Sequence, residues 1–293
     1  MNIAYRFRIY PTEEQKILLG KTFGCCRFLY NQMLNDKIRE YAKTKKMLKN
    51  TPAMYKKEYP FLKEIDSLAL ANVQLHLEKA YKNFFRNPKI GFPRFKSKHH
   101  SKNSYTTNVV NGNILVESKR IRLPKLKWIA MKKHREPAEG LRLKSVTVSM
   151  EPSGKYFASL LYEGYSCENQ AAEPDYSTAK ILGIDYAMQG MAVFSEKVET
   201  EEAGFFRKNE KRLAREQRKL SRCVRGSHNY ELQKKKVARC HEKIRNQRRD
   251  HLHKLSRKIA DGYDAAAVED IDMKAMGQCL HFGKSVQDNG YGM

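Results

Sequence analysis

Ile181-Leu182-Gly183-Ile184-Asp185 and, much later in the chain, Ala265-Ala266-Ala267-Val268-Glu269-Asp270-Ile271 are short runs of small and aliphatic residues, each reaching a carboxylate. Runs of this kind predict buried central strands. Placed side by side in one sheet, Asp185 and Glu269 offer oxygens to one hard divalent cation. Mg²⁺ takes such ligands and keeps several waters for substrate phosphates. Two-ion phosphodiester hydrolysis needs metals roughly 4 Å apart, which usually takes three or more carboxylates. The spacing equally allows Asp185 to cap a turn and Glu269 to sit at a sheet edge.

Around these runs the pattern is mixed. Gly190 turns the chain into Met191-Ala192-Val193-Phe194, a further short strand. From Asn209 to Ile259 the period is helical, with Leu213, Leu220, Val237, Ile244 and Leu255 facing inward and Arg225-Gly226-Ser227 turning between two long basic helices. A polar stretch from Ser166 to Ser177 reads as a linker, and a new domain starts at Lys180. Upstream, Val146-Thr147-Val148-Ser149-Met150 and Tyr156-Phe157-Ala158-Ser159-Leu160 flank Pro152-Ser153-Gly154, a hairpin signal. Alternation at Ile114 and Val116 and at Ile121 and Leu123 adds strands. A helix begins near Asp66 and Ser67, runs through Leu70, Val73, Leu77, Ala80 and Phe84, and ends before Pro88 and Pro93. At the N-terminus, Ile3 to Ile9 alternates as a half-buried strand. Thr12-Glu13-Glu14-Gln15 is a capping box that starts a helix. Gly24 is expected to break that helix before a second one carrying Cys26, Phe28, Leu29 and Met33, giving a helix-turn-helix-like opening, although many helical hairpins share this pattern and bind nothing.

The 293 residues carry 57 Lys/Arg against 32 Asp/Glu, a formal charge of +25 that favours a polyanionic partner. With 41% hydrophobic residues the composition is that of a folding chain. No run approaches the roughly 18 apolar residues of a membrane span, and the N-terminus has no signal-peptide core, so a cytoplasmic, nucleoid-associated protein without membrane contact is expected. Cys25, Cys26, Cys167, Cys223, Cys240 and Cys279 show no C-x-x-C spacing, so no zinc site is expected and reduced structural thiols are.

The cations are clustered. Between Phe205 and Lys258 stand 20 Lys/Arg and 5 Asp/Glu, and between Lys79 and Val116 eight Lys/Arg and no acid. The second cluster interleaves Phe92, Phe95 and Tyr105 with its cations, a mixture suited to phosphates and stacked bases. Each ring read alone could equally belong to the core. Candidate nucleic-acid contacts are Lys96, Lys98 and Lys102 in this cluster, and Arg207, Lys208, Arg212, Arg215, Arg218, Arg222, Arg248 and Arg249 in the helical one. His251-Leu252-His253 places its imidazoles on different helix faces, a poor chelating geometry.

Taken together, GIDYAMQGMAV (183–193), FFRKNEKRLAREQRKLSR (205–222), RRDHLHKLSRKI (248–259) and VEDIDMKAM (268–276) resemble, in order, the TnpB (OrfB) family of transposon-encoded, RNA-guided nucleases similar to type V CRISPR effectors. YRFRIYPTEEQK (5–16), FGCCRFLYN (23–31), GFPRFKSK (91–98) and SYTTN (104–108) resemble its N-terminal half, so the likeness covers nearly the whole chain.

The resemblance implies an α+β multidomain fold. Residues 1–10 would be the first strand of a β-barrel-like wedge, 11–100 a helical recognition region, 101–170 the rest of the wedge, and 178–293 an RNase H-like (RuvC) α/β domain with inserted long basic helices. It assigns Asp185 to the first-motif aspartate and Glu269 to the second-motif glutamate, both holding Mg²⁺. It gives guide RNA and target double-stranded DNA as partners, with Tyr105, Thr107 and Asn108 offering contacts to DNA edges; a turn or strand start reads these residues equally well. SVQDNGYGM (285–293) resembles a segment that in the family leads into a zinc ribbon and a third catalytic aspartate, and Asp288 does not match that ligand. The expectation is therefore a transposon-associated protein that binds DNA under RNA guidance through an incomplete or vestigial Mg²⁺-dependent endonuclease site. A catalytically inactive binder or decayed gene product, and a nuclease completed by a partner chain, are the alternatives.

Overall fold

The structure, a computed structural model, describes residues 2–98, 100–164, 177–187, 192–198 and 204–270. The chain divides into two compact units, 1–167 and 168–293. Most of the linker read at 166–177, together with Gly190, Met191, Cys167, Cys279 and Asp288, lies outside the described residues.

In the first unit, strand β1 (Asn2–Tyr10) leads into helix α1 (Glu13–Thr44). Short helix α2 (Pro52–Glu58) and a 3-10 turn precede α3 (Ser67–Arg86). The chain then becomes strand-rich, with β2 (Asn103–Asn108), β3 (Leu115–Val116), β4 (Arg120–Leu123), β5 (Lys127–Lys132), β6 (Arg142–Met150) and β7 (Tyr156–Glu163). All seven strands join one sheet in the order β2-β6-β7-β1-β5-β4-β3, with every pair antiparallel. The first strand of the chain thus becomes the middle strand, pairing β7 on one side and β5 on the other. Period-two alternation explains the core: Phe7 and Ile9 on β1, Ile129 and Met131 on β5, Val146 and Val148 on β6, and Ala158 and Leu160 on β7 are all buried. They share one apolar cluster with Leu19, Leu29, Met33 and Leu34 of α1 and Leu70 and Leu77 of α3.

Local chemistry sets the element ends as the sequence predicts. Thr12 and Gln15 close a reciprocal capping box on α1. Asp66 caps α3 through a bond accepted from the Leu68 amide (3.0 Å). At the β6–β7 hairpin, Gly154 adopts φ +84°, a conformation glycine enters without steric cost.

One expectation fails in this unit. Gly24 does not break the first helix, because α1 runs unbroken from Glu13 to Thr44. Phe23, Cys25, Cys26, Leu29 and Tyr30 around it are all buried, so packing on both sides outweighs the roughly 1 kcal/mol that an interior glycine costs a helix.

The second unit contains β8 (Ile181–Tyr186), β9 (Ala192–Phe194), α4 (Phe205–Ser221), α5 (His228–Gly262) and β10 (Ala265–Val268). Its three strands are ordered β10-β8-β9, with β10 parallel and β9 antiparallel to β8. Helices α4 and α5 fill the connection to β10 and pack on each other through Leu213, Cys240 and Ile244, with Phe205, Phe206 and Val237 alongside. Gly226, at φ +82°, makes the turn read from Arg225-Gly226-Ser227. The strands are less buried than the sequence suggests. Leu182 is fully enclosed, but among the described residues β10 pairs on one side only, and Val268 is 53% exposed.

Candidate carboxylate pair and nucleic-acid surfaces

Asp185 and Glu269 are brought together by register. The parallel ladder aligns Ala265 with Ile181, Ala266 with Leu182, Ala267 with Gly183 and Val268 with Ile184. The next residue on each strand is Asp185 and Glu269, so their backbones lie at one level on neighbouring strands, about 5 Å apart by ordinary strand spacing. The start of the ladder is clamped: Lys180 N–H donates to the Asp264 carboxylate (2.9 Å), and Asp264 N–H donates to the Lys180 carbonyl (3.0 Å). On the other side Gly183 receives β9 closely. Its N–H donates to Ser195 Oγ (2.9 Å), and a β-carbon at this position would stand 3.3 Å from Ser195 Cβ. Both carboxylates are exposed. Two oxygen donors on adjacent strands fit one hard cation. Among the described residues no group of three or more His, Cys, Asp or Glu gathers into a metal site.

The basic helical hairpin presents most of its expected contacts outward. Arg207, Lys208, Arg212, Arg215, Arg218, Arg222 and Arg249 are exposed, and Arg248 is half-buried with its Nε lacking a hydrogen-bond partner. Glu216 links the two helices and also pairs with neighbouring cations: Gln233 donates to its carboxylate (2.7 Å) and carbonyl (3.0 Å) across the seam, and Arg215 and Lys219 each lie 3.6 Å from the carboxylate. His251 meets the Phe205 ring edge-on at 5.6 Å, beside the packing seam.

In the first unit, a cavity of about 290 Å³ lies between α1, α3 and the segment leading into β2. Phe23, Arg27, His76, Lys96, Lys102 and Thr106 are among its walls. Burial, then the nearby Lys96 and Lys79, hold the His76 imidazolium below its usual range. Lys96 is the best-anchored cation of this group. Its ammonium sits 4.0 Å above the Tyr30 ring, and its backbone exchanges two hydrogen bonds with the Asn31 side chain (2.8 and 2.9 Å). Desolvation lowers its pKa. Lys98 and Lys102 are exposed and Asn108 is half-buried.

Tyr105 and Thr107 are buried in the core, at 5% and 0% exposure, and Tyr105 also forms part of the cavity wall. Burial raises the Tyr105 phenol far above its usual range. The Thr107 hydroxyl donates to Asp66. The outward positions of β2 are Ser104 and Thr106, and both line the cavity.

Sequence reasoning also missed the outer face of the seven-stranded sheet. There Arg6 lies 4.0 Å over the Phe157 ring, Arg8 lies 4.9 Å over Tyr10, and Arg120 lies 4.4 Å over Trp128. Arg8 is in register with Phe157 on one neighbour and Lys132 on the other, so these cation–π pairs run across β7, β1, β5 and β4. The signal was present in the alternation Arg6-Phe7-Arg8-Ile9-Tyr10. The cross-strand partners are far away in sequence.

A family profile described as "Probable transposase" (OrfB of IS605) matches residues 164–279, and one described as "Helix-turn-helix domain" matches residues 1–46. In that second range the structure has one strand and one unbroken helix. These matches, on a basic chain of two mixed α/β units, define a protein of the insertion-sequence transposase class. Among curated relatives, "Putative RNA-guided DNA endonuclease InsQ" of Escherichia coli (strain K12) is 33% identical over 285 residues, covering 93% of this chain and 67% of the relative. A "Putative RNA-guided DNA endonuclease" of Streptomyces pristinaespiralis is 31% identical over 297 residues, covering 97% and 71%. The chain belongs to the TnpB (OrfB) family. Among solved structures, a chain of a Cas12f1-sgRNA-target DNA complex aligns with 99% of this chain at 12% identity and a TM-score of 0.31.

Proposed function

We propose that this chain binds DNA under the guidance of a bound RNA, with Asp185 and Glu269 as a carboxylate pair for Mg²⁺ at the DNA backbone. The observation that carries the reading is the parallel β8–β10 register, whose last pair, Val268 and Ile184, immediately precedes the two acids and so supports their pairing. In this assignment residues 178–293 are an RNase H-like (RuvC) unit, 1–10 and 101–170 a wedge, and 11–100 a recognition region. The placement of β1 inside the seven-stranded sheet supports grouping 1–10 with 101–170. Guide RNA and double-stranded DNA are the partners, as the names of the relatives suggest. The cavity between α1, α3 and β2 is assigned to a short target-adjacent DNA motif, with Arg27, Lys96 and Lys102 facing phosphate and Asn72, Ser104 and Thr106 facing base edges. The outward cations of the α4–α5 hairpin serve the guide–target backbone.

A bound Mg²⁺ would neutralise phosphate charge and acidify a coordinated water. Asp185 and Glu269 would hold it, and the exposed hairpin cations would draw the polynucleotide toward it. Strand cleavage is the second reading, favoured by the acidic pair itself. It requires a further carboxylate beyond the two brought together among the described residues.

The test is binding and cleavage measured together. Purified chain with guide RNA, matching double-stranded DNA and Mg²⁺ should retain the DNA, and any cleavage should vanish in Asp185→Ala while retention persists. DNA retention that is indifferent to the RNA would overturn guidance. Cleavage that survives Asp185→Ala and Glu269→Ala would overturn the assigned site.

A further inference from the structure

The C-terminal end of α3 carries a ring cluster that neither the cavity nor the acidic pair uses. Phe92 stands edge-on to Tyr81 (5.5 Å) and to Phe84 (5.4 Å), and Phe85 stacks on Tyr81 with ring centroids 6.2 Å apart. Tyr81 is buried, but Phe85 is 65% exposed, Ile90 57%, Phe92 44% and Phe95 57%. None of these four side chains lines the cavity.

The segment that bears Phe92 and Phe95 is fixed in place. Gly91, at φ +87°, turns it back from α3, and a few residues on Lys96 is pinned to Tyr30 and Asn31 of α1. Rigid aromatic groups held at a surface lose little conformational entropy when they gain a partner.

Charge decides what that partner is. Lys82, Arg86, Lys89 and Arg94, which alternate with the rings in sequence, are all exposed, and no Asp or Glu occurs between Lys79 and Val116. A second copy of this chain, or an apolar protein surface, would bring these cations up against matter that does not neutralise them. Single-stranded nucleic acid answers both features, with bases for the ring faces and phosphates for the cations.

We propose that Phe85, together with the exposed Phe92 and Phe95 of the segment that follows α3, is a stacking platform for unpaired bases of a single-stranded stretch of nucleic acid. The proposal rests on the nucleic-acid reading above and adds to it a site and a class of ligand. Stacking is tolerant of sequence because every base has a π-face, so the platform serves any strand led past the end of α3.

The full chain is titrated with short single-stranded oligonucleotides carrying one 2-aminopurine, as RNA and as DNA. Wild type should quench the fluorophore, and the better of the two probes identifies the strand type. Phe85→Leu keeps an apolar surface and removes the ring. It should abolish most of the quenching and weaken binding roughly 5- to 100-fold, while Phe85→Trp retains both. Phe95→Leu is the second variant, measured in the same way should Phe85→Leu lower the melting temperature. Wild-type binding whose quenching is untouched by Phe85→Leu and Phe95→Leu overturns the platform and leaves the nucleic-acid reading standing. Failure of wild type to bind either oligonucleotide or structured RNA overturns both. Concentration-dependent self-association that Phe85→Leu abolishes, without quenching, assigns the surface to a second copy and likewise overturns the platform.

Discussion

Alternate residues of β2 divide between fold and surface. Thr107 lies inside, where its hydroxyl donates to the Asp66 carboxylate that also caps α3. Replacing it by valine keeps the shape and strips a buried acceptor of its donor. Thr107→Val should lower unfolding free energy by about 1–3 kcal/mol, read as a reduced urea midpoint at unchanged slope. The SYTTN motif was legible as a strand, but which of its side chains face outward depends on register with β6. Tyr105 and Thr107 therefore appeared among the candidate contacts, while Ser104 and Thr106 hold the less buried positions. The cysteines give a second residue-scale outcome. Burial pushes the Cys26 thiol up to about 12, whereas Cys223 is only half-buried. At pH 8 a thiol reagent should modify Cys223 on the folded chain and reach Cys26 only after unfolding, as mass mapping of the labelled peptides would show. His76 gives a third. Its folded pKa lies below the ordinary histidine value of about 6.5, so the unfolded chain takes up the proton first. Stability is full above that value and falls as pH drops toward the lower folded pKa. His76→Gln should flatten this part of a melting-temperature profile taken between pH 7.5 and 5.

At the scale of elements, α1 supplies the clearest test of a corrected expectation. A β-carbon on Gly24 meets nothing within 4 Å, so Gly24→Ala in a continuous helix should raise stability by about 1 kcal/mol. Were a turn present there, the same change would leave stability unchanged or lower it; thermal melting separates the two. The break was misread because glycine is a strong local signal, whereas the burial that overrides it comes from α3 and the sheet. The α4–α5 hairpin was far more legible. Its length, its turn at Gly226 and its inward residues follow from helical periodicity alone, because two adjacent antiparallel helices depend mainly on each other. Leu213 is the most enclosed side chain of α4. Leu213→Ala should cost about 2–5 kcal/mol of local stability, visible as faster amide exchange along both helices.

Over the whole molecule the +25 charge is the dominant fact, and it is segregated by design of the sequence. RNA affinity should fall steeply with added salt, with a log–log slope that shrinks by roughly 0.7–0.9 for each phosphate-contacting cation neutralised on the hairpin. Removing Arg212, Arg215 and Arg218 together should flatten that slope while far-ultraviolet circular dichroism stays unchanged. Much of the mixed α/β architecture could be read from periodicity and turn residues. The order of the strands could not, because β1 reaches the middle of its sheet by pairing with segments more than a hundred residues away. The acidic pair was legible as two suspicious strand ends; only the parallel ladder makes them neighbours. That ladder carries a temporal consequence. Lys180 and Asp264, which start it, stand 84 residues apart, so a ribosome has finished Asp185 long before Glu269 exists. During that interval β8 lacks its parallel neighbour, and both long helices must emerge and fold back before the edge is covered. A nascent chain therefore cannot bring Asp185 and Glu269 level with each other until synthesis has passed the hairpin.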